Sequence, residues 1–353
     1  MTEGIAEIRF AVRDSISHLA HLYQRDPLRV LFPTPALGDP PLAVLVTTSG
    51  GLVAGDRLDI GVRLASGAAA HVTASAAEKI YRSTGATTVI RQTLSVGADA
   101  ALEFLPLGTI LFDGARLSRE TTVDLAAGAW FLGGDIVVLG RRASGERFAA
   151  GLLREVWQVR RDGRLVWGDS LLLDGDVAAI INNPACFAGA AAFATMIMVP
   201  PKQILPQLLQ DARRLLSART NQGLRSGVTA VEELMVARWL GADTGTTARS
   251  LCSAGLPFSV SGAGIAASLT KSLECLMGLR TSWSLCELTG RRAAAKSRLG
   301  MEFPITAQRA DDSCRVRMHW AGASRGRRQA GLILPSSCRI RRLQARGLRR
   351  SDE

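Results

Sequence analysis

Short runs in which apolar and polar residues alternate dominate the first 250 positions. Leu58, Ile60, Val62 and Leu64 share one face of such a run, while Asp59, Gly61 and Arg63 take the other. Ile90, Leu94 and Val96 share a face in a second run, and Leu102 and Phe104 in a third. Successive side chains of a strand point to opposite faces, so this period predicts strands. Helical spacing is confined mainly to 204–217, where Leu205, Leu208, Leu209, Leu215 and Leu216 form one stripe. Pro206 falls in the first turn of that helix, where its missing N–H is tolerated. The run LMVARWL at 234–240 fits a strand or a helix.

A weak repeat underlies the strands. Gly-Ala pairs at Gly67-Ala68, Gly97-Ala98 and Gly128-Ala129 each separate two strand-like runs. Each unit then continues into a third apolar segment, around 79–81, 109–112 and 136–139, followed by a polar, Gly-bearing turn. Strand, tight turn, strand, turn and strand at a period near 30 suits layered sheets or a β-helix-like stack, in which each unit buries its face against its neighbours. A plain antiparallel meander with coincidental Gly-Ala hairpins is the competing arrangement. The fold class expected is mostly β, with one or two helices.

Charge divides the chain. The whole carries a formal +12 over 353 residues, but residues 1–250 hold 25 Lys+Arg against 24 Asp+Glu. The remaining residues hold 18 against 7, together with five of the six cysteines. Two domains follow: 1–247, and an Arg/Cys/Ser-rich tail, 248–353, expected to be disordered. The first fourteen residues include Glu3, Glu7, Arg9 and Asp14 and do not read as a secretory signal. The longest uncharged apolar stretch, 185–199, is short of the roughly 18–20 residues that span a bilayer. No membrane partner and a reducing, cytoplasmic location are therefore expected.

Catalytic signatures are missing. There is no HExxH, GxSxG or Walker A sequence, and the glycines of Ser49–Asp56 lack the Lys-Ser/Thr ending of a phosphate loop. Four short motifs are nevertheless specific: TSGGLVAGD at 48–56, KIYRS at 79–83, ILFDGA at 110–115, and LGR at 139–141 with GERF at 145–148. At these positions, and collinearly over roughly 8–245, the sequence resembles the urease accessory protein UreD (UreH) family. The resemblance implies a layered or β-helical fold and a non-enzymatic role. It further implies a scaffold that joins apo-urease to UreF-type and UreG-type accessory proteins while nickel is delivered. Two departures stand out: Gly134 takes the place where the family often has Trp, and Gly108 that of an acidic or amide side chain.

Transient nickel calls for oxygen or imidazole ligands that release it, with no tightly bound cofactor. The candidate metal residues are Asp56, on a glycine-constrained loop, and Asp135, within the apolar stretch Trp130–Leu139. By the repeat, Glu78 and Asp135 fall at similar points of their units, which suggests a polar lane through the stack. Asp56 as a turn-former and Asp135 as a hydrogen-bonded core acid are the simpler alternatives. Lys79, Tyr81 and Arg82 are candidate partner-binding residues; the competing arrangement has Tyr81 packed inward and Arg82 solvated. Glu146 is placed to pair with Arg141 or Arg142.

Beyond about Thr247 both the alternation and the resemblance stop. One reading of the Arg-rich end is an RNA- or membrane-binding extension, since Arg clusters neutralise phosphates. It lacks the interleaved aromatics of a single-strand platform. The abrupt change of pattern favours a second reading, a shift of reading frame near 245–250, so no nucleic-acid partner is expected.

Overall fold

Strands form here because the alternating runs can bury one face only by stacking, and the glycine-bearing corners let the chain return at a fixed rise. A computed structural model describes residues 1–35, 38–217 and 223–242, and five short strand segments between 295 and 342. The expected domain boundary at 247 lies outside the described residues, as does the tail apart from those segments. By its internal contacts the chain forms two units, 1–271 with 332–353, and 272–331. In the second unit two short antiparallel pairs are described, 295–296 with 302–303 and 307–310 with 313–316.

The first unit opens with two hairpins, β1 (Glu3–Arg13) with β2 (Ile16–Arg25), and β3 (Leu28–Leu31) with β4 (Leu42–Thr47). The chain then winds. A first coil contains β5 (Arg57–Leu64), β6 (Ala69–Ala74) and β7 (Glu78–Ile80). A second contains β8 (Thr88–Val96), β9 (Ala101–Leu105) and β10 (Thr109–Leu111). In the third, β11 (Arg116–Leu125) is followed by β12 (Trp130–Leu139), one continuous strand where the earlier coils have two. The unit closes with β13 (Ala150–Arg161), β14 (Arg164–Asp176), β15 (Ala192–Val199), β16 (Leu224–Val231) and β17 (Leu234–Gly241). Two α-helices interrupt this part, α1 (Val177–Ile181) and α2 (Leu205–Ser217).

Two sheets result. The first runs β2-β1-β5-β8-β11-β13-β14, with residues 341–342 beyond β14, and is parallel from β1 to β13. The second runs β16-β17-β15-β12-β9-β6-β4-β3 and is parallel from β4 to β12. A short parallel ladder, β7-β10-β12, forms a third side of the coils. Parallel pairing of strands about 30 residues apart makes this a solenoid-like stack of layered sheets and replaces the meander. The core lies between the sheets: Leu58, Val62, Leu94, Val123 and Phe104 are among its buried side chains. On α2, Leu205, Leu208 and Ala212 are buried, and the helix packs on β16 and β17. The 185–199 stretch ends in strand β15, and LMVARWL is strand β17.

The corner glycines refine the repeat. Leu64, Val96 and Leu125 are level in the first sheet, so the coil offsets are set by strand register. Gly67 and Gly128 turn their corners at φ near +70°, whereas in the middle coil Asp99 occupies the left-handed conformation. The Gly97-Ala98 pair is thus two residues out of step with the others. Gly97 has a different duty: a Cβ there would lie 2.7 Å from the Ser66 amide nitrogen, so close stacking of coils requires its absence.

Candidate functional site

All four specific motifs meet along one edge of the stack, where the third sides of the coils turn back to the first sheet. The Ser49–Asp56 loop is pinned to β7 by hydrogen bonds from Leu52 N to Lys79 O (2.7 Å) and from Tyr81 N to Leu52 O (2.9 Å). The next turn joins through Phe112 N to Ile80 O and Ser83 N to Gly114 O (both 3.0 Å). The last joins through Ala149 N to the Asp113 carboxylate (2.8 Å). Gly51, at φ +148°, is required here, because a Cβ would lie 2.5 Å from the Tyr81 ring. Tyr81 stacks edge-on against Phe112 at 4.6 Å, and the Arg141 guanidinium lies 4.2 Å above the Phe112 ring. Glu146 holds Arg141 at 2.6 Å, the partner choice left open between Arg141 and Arg142. That bond to Glu146, more than any other influence, raises the Arg141 pKa.

Behind this edge a charged lane follows the stack axis through the interior. Thr47 at the end of β4 donates to Glu78 on β7. Glu78 is level with Thr109, and Thr109 with Val137, along β7-β10-β12. Arg119, 3% exposed, reaches across from the first sheet to donate to Thr109 (2.8 Å). It also pairs bidentately with Glu155 (2.7 and 2.9 Å) and contacts Asp135. Beyond lies a cavity of about 260 Å3 lined by Asp135, Glu155, Asp169, Cys186, Thr195 and Arg238, among others. Asp169 and Arg238 pair there at 2.6 Å.

Burial sets the charges of the lane. It raises the Glu155 pKa to about 6 against the pull of Arg119, and raises Asp135 although Arg119 and the Ile136 amide oppose it. Burial also raises Glu78 against the Thr47 hydrogen bond. For Arg119 burial works the other way, but Asp135 and Glu155 outweigh it and its pKa is raised. One fixed cation among several acids that are reluctant to ionise leaves a site that is charged and internally compensated.

The two candidate metal residues are not brought together. Asp56 closes its own loop: its carboxylate accepts from Thr2 N (2.7 Å) and Val53 N (3.0 Å). Burial disfavours its charge, but those two amides hold its pKa below the ordinary value. Asp135 stands in the lane, two residues before the position level with Glu78, on the same side of β12. The offset arises because β12 runs straight where the other coils break. Lys79 and Arg82 project outward, and Tyr81 is half-buried as a strut of the edge. Among the described residues, no group of three or more His, Cys, Asp and Glu is arranged to hold a metal ion.

Sequence reasoning missed Thr109, Arg119 and Glu155. The signal was present in the alternation: Arg119 falls on the same face as Leu117, Val123 and Leu125, and Glu155 on that of Leu153 and Val159. A charge on the apolar face of a strand must find a partner inside. It also missed the buried contact of His71 on β6 with Glu103 on β9, where burial raises the Glu103 pKa. At Gly134, a Cβ would lie 2.6 Å from the Thr195 carbonyl oxygen, and at Gly108 2.7 Å from that of Ile136. Both departures thus sit where backbone closes in. Among the described residues no helix is long and apolar enough to cross a membrane.

Comparison with known proteins gives one consistent result. A family model described as UreD urease accessory protein matches residues 2–257. A urease accessory protein UreD of Magnetococcus marinus is 44% identical over 243 residues, 68% of this chain and 83% of the relative. A UreD of Rhodopseudomonas palustris is 36% identical over 241 residues, 68% of this chain and 84% of the relative. A UreD 2 of Methylorubrum populi is 39% identical over 243 residues, 68% and 81% respectively.

Proposed function

The chain belongs to the UreD urease accessory protein family, and on that footing we propose that it is a maturation scaffold, not a catalyst. In this reading it joins apo-urease to UreF-type and UreG-type accessory proteins in the cytoplasm and assists nickel insertion. The observation that carries the nickel part is the lane: ionisable side chains Glu78, Arg119, Asp135 and Glu155 lead along the interior into a cavity bordered by Asp169. Nickel is substrate here, held in passing by carboxylate oxygens that bind weakly enough to release it. Asp135 and Glu155 offer such oxygens, while Arg119 neutralises them when no metal is present. Asp56, with both oxygens engaged by backbone amides, holds the loop at the edge beside Lys79, Tyr81 and Arg82, which face a partner.

Co-expression tests this reading. Urease made with the other accessory proteins and this chain is expected to be at least tenfold more active than urease made without it. The chain is expected to co-purify with the apoprotein. Equal urease activity without the chain contradicts it.

A further inference from the structure

The edge formed by the four motifs carries a charge that the rest of the body lacks. Residues 1–250 are nearly balanced, with 25 basic against 24 acidic side chains. On this edge Lys79, Arg82, Arg141, Arg142 and Arg147 outnumber the acids: beside the half-buried Glu78 stand only Asp113 and Glu146. Those two carboxylates are already engaged, Asp113 with Arg82 at 3.1 Å and Glu146 with Arg141 at 2.6 Å. Arg142 and Arg147 pair with no carboxylate among the described residues, and Lys79 feels the charge of its neighbour Glu78 without a close ion pair to it. Lys79 reaches only the Gly50 carbonyl oxygen (3.5 Å), and Arg142 only that of Ala242 (3.4 Å). The Tyr81–Phe112–Arg141 stack and the interlocked loops brace the backbone from which these cations project. A basic surface on a braced backbone needs little backbone ordering when a complementary surface arrives.

We propose that this edge, centred on Lys79, Arg82, Arg142 and Arg147, docks an acidic segment of a partner protein. The inference rests on the scaffold reading and adds to it the location and chemistry of one contact. Protein is favoured over nucleic acid by two features. The aromatic rings are closed to base stacking, since Gly51 covers Tyr81, Tyr81 abuts Phe112 edge-on, and Arg141 covers the Phe112 face. Asp113 and Glu146 interrupt the cations, which suits a mixed protein surface and repels a continuous phosphate backbone.

The test measures binding of the full chain to apo-urease and to each accessory protein singly, at 50 and 300 mM NaCl. A 20-nucleotide single-stranded RNA serves as a further probe. Wild type is expected to bind at least one of the proteins, more weakly at the higher salt. The variant Lys79→Glu/Arg147→Glu is expected to weaken that binding at least tenfold, and Lys79→Gln/Arg147→Gln by a smaller factor. Arg9→Glu/Arg63→Glu, the same charge change on the exposed face of the first sheet, is expected to change it less than twofold. Equal loss in this control, or wild-type binding by both edge variants with unchanged thermal unfolding, overturns the proposal and leaves the scaffold reading standing. RNA binding that matches the protein affinity and disappears in the edge variants overturns it in favour of nucleic acid. Failure of wild type to bind any of the proteins removes the scaffold reading and this inference together.

Discussion

Arg119 is the residue on which the interior depends. It is buried, and it answers two carboxylates on two different strands, Asp135 of β12 and Glu155 of β13. Removing one partner of a buried ionic group leaves uncompensated charge, at a cost of about 3–5 kcal/mol. Arg119→Leu is therefore expected to lower unfolding stability by that amount in urea titration. A loss below about 1 kcal/mol would mean that Asp135 and Glu155 are solvated. Glu155 makes the same cluster sensitive to pH. Its pKa rises from 4.5 in the unfolded chain to about 6 in the fold, so the folded state binds the proton more tightly. The contribution is fully present below about pH 4.5 and is lost as pH rises through 6, a difference of about 2 kcal/mol. Glu155→Gln is expected to flatten the stability curve between those values; an unchanged slope would place the titration elsewhere.

At the scale of the element, the strand and corner pattern is what makes coils stack. Alternation along β5, β8 and β9 was readable directly, because each apolar face has a fixed period of two and each corner carries small residues. The helix over 205–217 and the third apolar segments at β7, β10 and β12 were equally readable. The exact offset between coils was not. It depends on backbone register, which placed Asp99 rather than Gly97 in the left-handed corner and set Glu78 beside Thr109. The lane was legible only in part for the same reason. Asp135 announced itself by lying in an apolar run, but its partner Arg119 comes from another sheet, and Glu155 lies 36 positions beyond Arg119. Gly97 offers a test of the stacking itself. Gly97→Val forces a side chain against the Ala65–Ser66 backbone and is expected to destabilise by about 1–3 kcal/mol. Gly227→Ala, on β16 with open space around it, is expected to stay within about 0.5 kcal/mol. Equal effects of the two would show that coil spacing does not depend on Gly97.

For the whole molecule, the stack turns a repetitive sequence into two separate chemical features. Loops at one corner of every coil gather into a basic, aromatic-braced edge. Side chains facing inward at a neighbouring position gather into a compensated lane that runs between the sheets to a cavity. Neither feature belongs to any one motif, which is why motif reading located the edge residues without showing that they adjoin. The formal +12 contributes nothing to either, since the excess lies beyond residue 250. The proposed scaffold role would join the two features by placing a docked partner beside the interior lane. The most direct measurement is the nickel content per active site of urease matured with the Glu78→Gln/Asp135→Asn variant. That variant must first be shown to co-purify with apo-urease and to unfold within a few degrees of wild type. At least a fivefold drop in bound nickel is predicted. Full nickel loading by a folded, partner-bound variant would contradict passage through the lane.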